Sequence, residues 1–413
     1  MQKFKKINDQ RMTLFLFFLC WFAYFMSYIG RLNYSSAMTA MIQESVLTKS
    51  EAGFISMVYF FAYGIGQLCN GILGDKFHPG KMIFTGLGVA ALANLLMGFT
   101  ENFILMSLIW GINGYAQAMI WPPIIRIFAE MLEGSRKIQF CINIVSSQVV
   151  GTLGSYLIAA GVMWLIGWKA VFGTAALCLA AMAVVWLWGF KRVEKFSMEH
   201  GYLSEETVNN NQEKQKSQGK MSELLIGAGL ISVVFPVVIH GMLKDGVTTW
   251  VPTFITETYF TSPAFSILIT TILPIFNLTG AYAAQYVYRK CKKREYMAAI
   301  LFFSVATVSL LGIWVGKSYS MVLTVVLFAL ITASMMAVNT LFVNMLPLRF
   351  EKQGRVSTVS GFLNSMAYLG TAVSTYTIGL MVENLGWNIT IGSWVAFTAA
   401  ALICCVIFRK KEF

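Results

Sequence analysis

Apolar residues follow one another in runs of eighteen or more from Met12 to Phe408, separated by short polar stretches. Each run is long enough for a helix to cross a bilayer. Strands of a membrane barrel would read instead as alternating segments of about ten residues, a pattern this chain does not carry. The runs predict twelve spanning helices, at residues 12–40, 50–73, 82–99, 103–129, 138–164, 168–190, 222–256, 262–288, 296–315, 318–346, 354–382 and 388–408. One interval breaks the rhythm. KRVEKFSMEHGYLSEETVNNNQEKQKSQGK, between the sixth and seventh runs, is polar nearly throughout and reads as a linker. The predicted organisation is a six-helix half at 1–190, a linker at 191–221 and a second six-helix half at 222–413.

An internal repeat supports that division. A shift of 219 residues superposes Arg136 on Arg355, Gly151 and Thr152 on Gly370 and Thr371, Ser155 on Ser374, and Gly167 and Trp168 on Gly386 and Trp387. Spans five and eleven therefore read as duplicates. The expected fold class is an all-α membrane protein whose twelve helices form two pseudo-symmetric halves, with a site between them.

Only 12% of the 413 residues are charged, against about 25% in soluble domains, which excludes an ordinary soluble enzyme. The net charge of +12 would raise nucleic acid as a partner in a soluble chain, but here its location decides. Of the 31 Lys and Arg, 26 fall beside the two ends of the sequence, the linker and the loops on that side, against Lys49, Lys169 and Lys317 opposite. That asymmetry places both termini in the cytoplasm and makes the basic excess a signal of topology, with the lipid bilayer as partner. The basic N-terminal segment precedes an apolar run too long for a signal peptide, so it reads as the first span. Seven cysteines lie almost all inside apolar runs without a spaced framework, and three histidines are scattered. No disulfide, metal site or cofactor is expected. Nothing in the pattern requires more than a monomer.

Ionisable residues inside spans are costly and are functional candidates by default. Two cations qualify, Arg31 in FAYFMSYIGRLNYSSAM and Lys244 in VVIHGMLKDGVTTWVP. They lie about 19 and 22 residues from the predicted starts of spans one and seven, roughly 28–33 Å at 1.5 Å per residue. Their depths match across the two halves. No acidic residue in the first six spans is placed to pair with Arg31, and a bound anion would supply the missing charge. The competing reading has both cations reaching to the interface, with Asp245 as partner of Lys244. Residues at i and i+1 do not share an α-helical face, which weighs against that local pair. Together the two cations would clamp a divalent anion, Arg31 through its fork and Lys244 as a point charge.

Tyr24, Tyr28 and Arg31 share one face of span one, Tyr63 precedes Gln67 by four residues in span two, and His240 precedes Lys244 by four. Tyrosines supply rigid walls and hydroxyl donors. Gln67, Ser147 and Gln148 are polar residues within spans, able either to read a ligand or to bond a neighbouring helix. In GILGDKFHPGK, Asp75 is suited to a helix N-terminus or to Arg126. Apart from Asp245, carboxylates lie at span ends or in loops. Proton relays are thereby disfavoured, and exchange of one anion for another needs none. No nucleophile, base and metal set stands out at membrane depth, so an enzyme is not expected.

The 6+6 plan, the Gly-x-x-x-Asp-Lys sequence after span two and the central linker resemble the major facilitator superfamily over the whole chain. GRLNYSSAM in span one, FAYGIGQLCNGILGDK in span two and GYAQAMIWPPIIR in span four resemble, more closely, the organophosphate:phosphate antiporters. That resemblance implies exchange of glycerol 3-phosphate, a hexose 6-phosphate or a similar anion for inorganic phosphate, by rocking of the halves in a bacterial inner membrane. It implies a phosphate-binding role for Arg31, pocket roles for Tyr24, Tyr28, Tyr63 and Tyr368, and a gating role for Asp75 and Arg126. Departures from the family pattern are equally specific. Lys244 stands where the family has a second arginine, Gln67 where glycerol-phosphate members have a lysine, and Ser147 or Gln148 where span five has a histidine. Arg289 occupies the acid's position in the second-half copy of the Gly-x-x-x-Asp motif. Fewer cations and more amides imply a substrate with less charge or more hydroxyls than glycerol phosphate. A carboxylate or hexuronate symporter of the same superfamily and a transporter-like sugar-phosphate sensor are the alternatives.

Overall fold

The computed structural model describes residues 4–73, 77–132, 134–202, 230–292, 294–317, 319–353 and 356–410. Asp75, Arg355 and the predicted start of span seven at 222 lie outside them. Eleven described helices are long and apolar enough to cross a membrane. Span one is Gln10–Gln43, span two Lys49–Leu73, span three Pro79–Met97 and span six Trp168–His200. Span nine is Glu295–Gly316. The last helix, Val356–Ile407, runs for 52 residues but turns at Gly386 (φ 75°, ψ 173°). At 1.5 Å per residue it is about two and a half times as long as a bilayer core needs, and Gly386 divides it into spans eleven and twelve.

Several spans are broken, and in span four the sequence supplies the reason. Span four is Phe103–Gln117 followed by Trp121–Met131, with Pro122 and Pro123 in the first turn of the second piece. Proline has no N–H to return to the preceding turn, so the helix restarts there. Span five is Gly134–Asn143 and Val145–Leu165, and span eight is Pro263–Thr270 and Ile272–Lys290. Span seven runs from Ile231 to Tyr259 with a π-helical turn at Met242–Val247, and span ten carries another at Thr340–Met345. Span six continues past the predicted end at 190 to His200, where the N-terminal segment lies across it. Lys6 and Tyr202 exchange backbone hydrogen bonds (2.9 and 3.1 Å), and the Lys6 ammonium donates to the carbonyls of Ala129 and Leu132, each at 2.8 Å. The cation thereby satisfies carbonyls left free where span four ends.

The sequence repeat has a structural counterpart. Gly167 (φ 116°) and Gly386 (φ 75°) both take positive φ just before spans six and twelve, a conformation that side chains disfavour. The tryptophan after each donates its indole N–H to a carboxylate, Trp168 to Glu44 (2.9 Å) and Trp387 to Glu257 (2.8 Å). Those acids are 213 residues apart, the same separation as Arg31 and Lys244. The duplicated glycines sit at close helix crossings. A Cβ on Gly151 would lie 3.0 Å from the Phe25 carbonyl oxygen in span one, and a Cβ on Gly370 2.1 Å from that of Val238 in span seven.

Spans of the two halves meet on the side away from the termini. Thr39 and Thr253 hydroxyls share a hydrogen bond (3.0 Å), Lys49 pairs with Glu257 (3.0 Å), and Ser50 donates through its N–H and hydroxyl to Glu383 (2.7 and 2.6 Å). There, Gly53 and Gly379 bring spans two and eleven together: a Cβ on Gly53 would lie 2.5 Å from the Thr375 carbonyl oxygen, and one on Gly379 2.4 Å from that of Lys49.

Candidate functional site

Arg31 is held by the helix that carries it. One residue earlier, the Gly30 carbonyl accepts from Asn94 of span three (3.1 Å) and Asn113 of span four (3.0 Å), while Asn33 donates to Asn94 (2.7 Å). All three asparagines are buried. Buried amides that find partners fix one arrangement of helices, and here three spans are tied at the level of Arg31. Gly30 lets the crossing close up, since a Cβ there would lie 2.3 Å from Leu179 Cδ1.

The guanidinium projects among four aromatic rings: Tyr63 at 4.6 Å from ring centroid to Cζ, Tyr28 at 5.5 Å, Tyr368 at 5.7 Å and Phe60 at 5.8 Å. Tyr63 and Tyr368, from opposite halves, meet at 4.8 Å between centroids. Such rings attract a cation and exclude water from it, yet give it no counter-charge. Among the described residues Arg31 has no acidic partner, and its Nε is buried without a hydrogen bond.

A small cleft opens beside this group. Arg31, Tyr28 and Gln148 line it from the first half, and Lys244 and Tyr368 from the second. Five of the residues singled out in the sequence thus converge. Tyr63 joins them through its ring on Arg31, and Gln67 lies one turn further along span two, partly exposed. Others sit behind the wall. Tyr24 packs on Trp121 (4.6 Å) a turn before Tyr28, Ser147 is buried with its hydroxyl on the Ile144 carbonyl, and His240 is 2% exposed with its Nε2 unpartnered. Arg126 lies away from the cleft, with Nε on Glu130 (2.6 Å) and Nη1 on the Phe77 carbonyl (2.8 Å).

One expectation is corrected. Lys244 and Asp245, consecutive in sequence, do form a pair, with Nζ 3.0 and 3.1 Å from the two carboxylate oxygens. The reason is local backbone: both lie in the π-helical turn, whose wider winding reduces the angle between consecutive side chains. Thr248 and Thr249 hydroxyls donate to the carbonyls of Lys244 and Asp245, satisfying acceptors that the irregular turn disturbs.

The cleft also takes in residues that the sequence did not flag, Thr152, Tyr156, Thr248 and Asn277. Two signals were available. Thr152 belongs to the duplicated Gly-Thr pair, and Asn277 is an isolated amide in an apolar run, whose Oδ1 is buried without a partner.

Twelve apolar spans closing on a polar, cation-bearing cleft between two sets of helices define a membrane transporter rather than an enzyme. The chain belongs to the Major Facilitator Superfamily, whose family model matches residues 20–374. Among curated relatives, a probable hexose phosphate transport protein of Chlamydia trachomatis is 23% identical over 410 residues, spanning 95% of this chain and 89% of the relative. A glycerol-3-phosphate transporter of Bacillus subtilis is also 23% identical, over 415 residues that span 96% of this chain and 91% of its own. Among solved structures, a bacterial homologue of the human lysosomal transporter Spinster, in an inward-facing and occupied conformation, superposes with a TM-score of 0.81 over 98% of each chain at 11% identity. At that identity the likeness concerns the fold.

Proposed function

We propose that this protein is a secondary transporter of the bacterial inner membrane that exchanges an organic phosphate, such as a sugar phosphate or glycerol phosphate, for inorganic phosphate by alternating access. The observation that carries the reading is Arg31, a cation at membrane depth, ringed by aromatic faces, without an acidic partner and facing the cleft where the two halves meet. An uncompensated buried cation costs several kcal/mol, and a bound anion removes that cost. The curated relatives, named for transport of phosphorylated small molecules, support the substrate class.

In this reading Arg31 takes the anionic group and Lys244 adds to the positive field. Tyr28, Tyr63, Gln67, Gln148 and Tyr368 contact the rest of the substrate, Tyr24, Ser147 and His240 support that wall, and Asp75 and Arg126 belong to the gate near the termini. An empty basic site resists reorientation, so the halves move when an anion fills it, which is exchange. With the termini cytoplasmic, the closed side formed by Lys49, Glu257, Ser50 and Glu383 faces outward, and the cleft serves the cytoplasm in this state. The unit of transport is the monomer.

Phosphate counterflow tests the proposal: purified protein in phosphate-loaded liposomes, labelled phosphate outside, and glycerol 3-phosphate, hexose phosphates and hexuronates as competitors. Exchange that is abolished by Arg31→Ala is the expected outcome. Transport of a hexuronate with phosphate ignored would make the protein a carboxylate carrier, and binding without flux would make it a sensor.

A further inference from the structure

The two cations of the cleft are not equivalent. Lys244 is bound by both oxygens of Asp245 at 3.0 and 3.1 Å, with only 14% of the lysine side chain and 27% of the aspartate exposed. Arg31 makes no such bidentate contact: its Nε is unpartnered, Tyr368 is its side-chain hydrogen-bond neighbour, and its charge reaches Asp245 only from a distance. Among the described residues lining the cleft, Asp245 is the one carboxylate, and Arg31 and Lys244 are the cations. The other titratable groups facing the pair are Tyr28 and Tyr156 from the first half, Tyr368 from span eleven and His240 on the same helix. The phenols are neutral at ordinary pH. His240 counts as neutral, because its Nε2 is buried with no acceptor for a second proton.

We infer that Asp245 is a specificity residue that makes this site select its substrate in the singly charged state. The cleft offers one uncompensated positive charge. A monoanion on Arg31 matches it and leaves the Lys244–Asp245 pair intact. A dianion would have to draw Lys244 off Asp245, stranding a carboxylate in the same small, poorly solvated space as the dianion, where like charges interact strongly. The neutral groups on the wall, Gln148, Thr152, Thr248 and the unpartnered Asn277 Oδ1, then read hydroxyls rather than charge. A phosphomonoester is accepted with its proton on, whereas a permanently monoanionic sulfate ester needs none.

This inference deepens the organophosphate reading and depends on it for the choice of probes. The test is binding to the purified full-length protein at pH 6 and pH 8 of glycerol 3-phosphate, glucose 6-phosphate and methyl sulfate, a fixed monoanion. With a second phosphoester ionisation near pH 6, the monoanion fraction falls from about one half to about one hundredth over this range. The Kd of whichever phosphoester binds is expected to weaken about 50-fold at pH 8 in the wild type, while that of methyl sulfate stays constant. Asp245→Asn raises the site to two free charges and should abolish most of that penalty by admitting the dianion. The double variant Lys244→Gln, Asp245→Asn returns the site to one charge and should restore the penalty, which separates charge from folding damage. Equal or tighter phosphoester binding at pH 8 in the wild type overturns the inference, as does an unchanged profile in Asp245→Asn. Binding of methyl sulfate without either phosphoester keeps the charge selection and removes the organophosphate reading; silence of all three probes overturns both.

Discussion

Arg31 owes its position to groups that never touch a substrate. The asparagine cluster behind Gly30 sets the height and rotation of span one, so a fault there reaches the site through the backbone. Asn94→Ala would remove the amide that bonds both Asn33 and the Gly30 carbonyl; the carbonyl keeps Asn113, but the buried Asn33 amide loses its acceptor, at about 1–3 kcal/mol. We expect a lower melting temperature in detergent and weaker phosphate exchange, measured on the same preparation. Arg31→Lys is the sharper probe of the site itself. It keeps the charge but loses the planar fork and the flat face that lies against Tyr63. Charge-assisted hydrogen bonds are worth about 1.5–3 kcal/mol, so the half-saturation constant for exchange should rise about 10- to 100-fold. A shift below threefold would mean that point charge alone suffices.

At the level of elements, glycines decide how closely helices cross. A Cβ on Gly370 would lie 2.1 Å from the Val238 carbonyl oxygen, and one on Gly241 1.9 Å from that of Ala367. Spans seven and eleven are thus in backbone contact on both sides, beside Lys244 and Tyr368. Gly370→Ala must push the spans apart, and overpacking of this kind costs about 1–3 kcal/mol. Gly88, with open space around its Cβ position, is the control: Gly88→Ala should gain up to about 1 kcal/mol from helix propensity. Thermal melting of the two variants should move in opposite directions. The duplicated Gly370 and Gly151 were legible as a repeat, because identical packing demands leave identical residues. The break in span four follows from Pro122 and Pro123, but that in span five was not legible. Apolar composition reports that a segment is buried in lipid, and it is silent about whether the helix through it is continuous.

In the alternating-access reading proposed above, contacts across the halves on the side away from the termini hold the whole molecule in one state. Ser50 to Glu383 is the most directional of them, two hydrogen bonds to a carboxylate, whereas the partly exposed Lys49–Glu257 pair contributes about 0–1 kcal/mol. Glu383→Ala should release about 1.5 kcal/mol of that hold and raise the population of the opposite state about tenfold. A cysteine at Thr152, which lines the cleft, reports this in a background without the seven native cysteines. Its labelling by a membrane-impermeant maleimide applied to the side away from the termini should accelerate several-fold, and an unchanged rate would show that the closure rests on packing instead.

Several features of this protein were determined by the sequence alone. The long apolar spans, the internal repeat and the lack of an acid near Arg31 in its own half all follow from local composition, because a bilayer penalises every exposed polar group in the same way wherever the segment later packs. The tertiary structure decided what each polar residue faces. Arg31, Gln148, Lys244 and Tyr368, far apart in the chain, share one cleft, while Tyr24, Ser147 and His240, equally plausible by type, stand behind it. Asp245 is the clearest case. Helical periodicity alone directs it away from Lys244, and only the π-helical turn of span seven joins the two. Hydrophobicity is a property of a segment, but the pairing of charges depends on distances of a few ångströms, which the backbone sets only once the helices have packed.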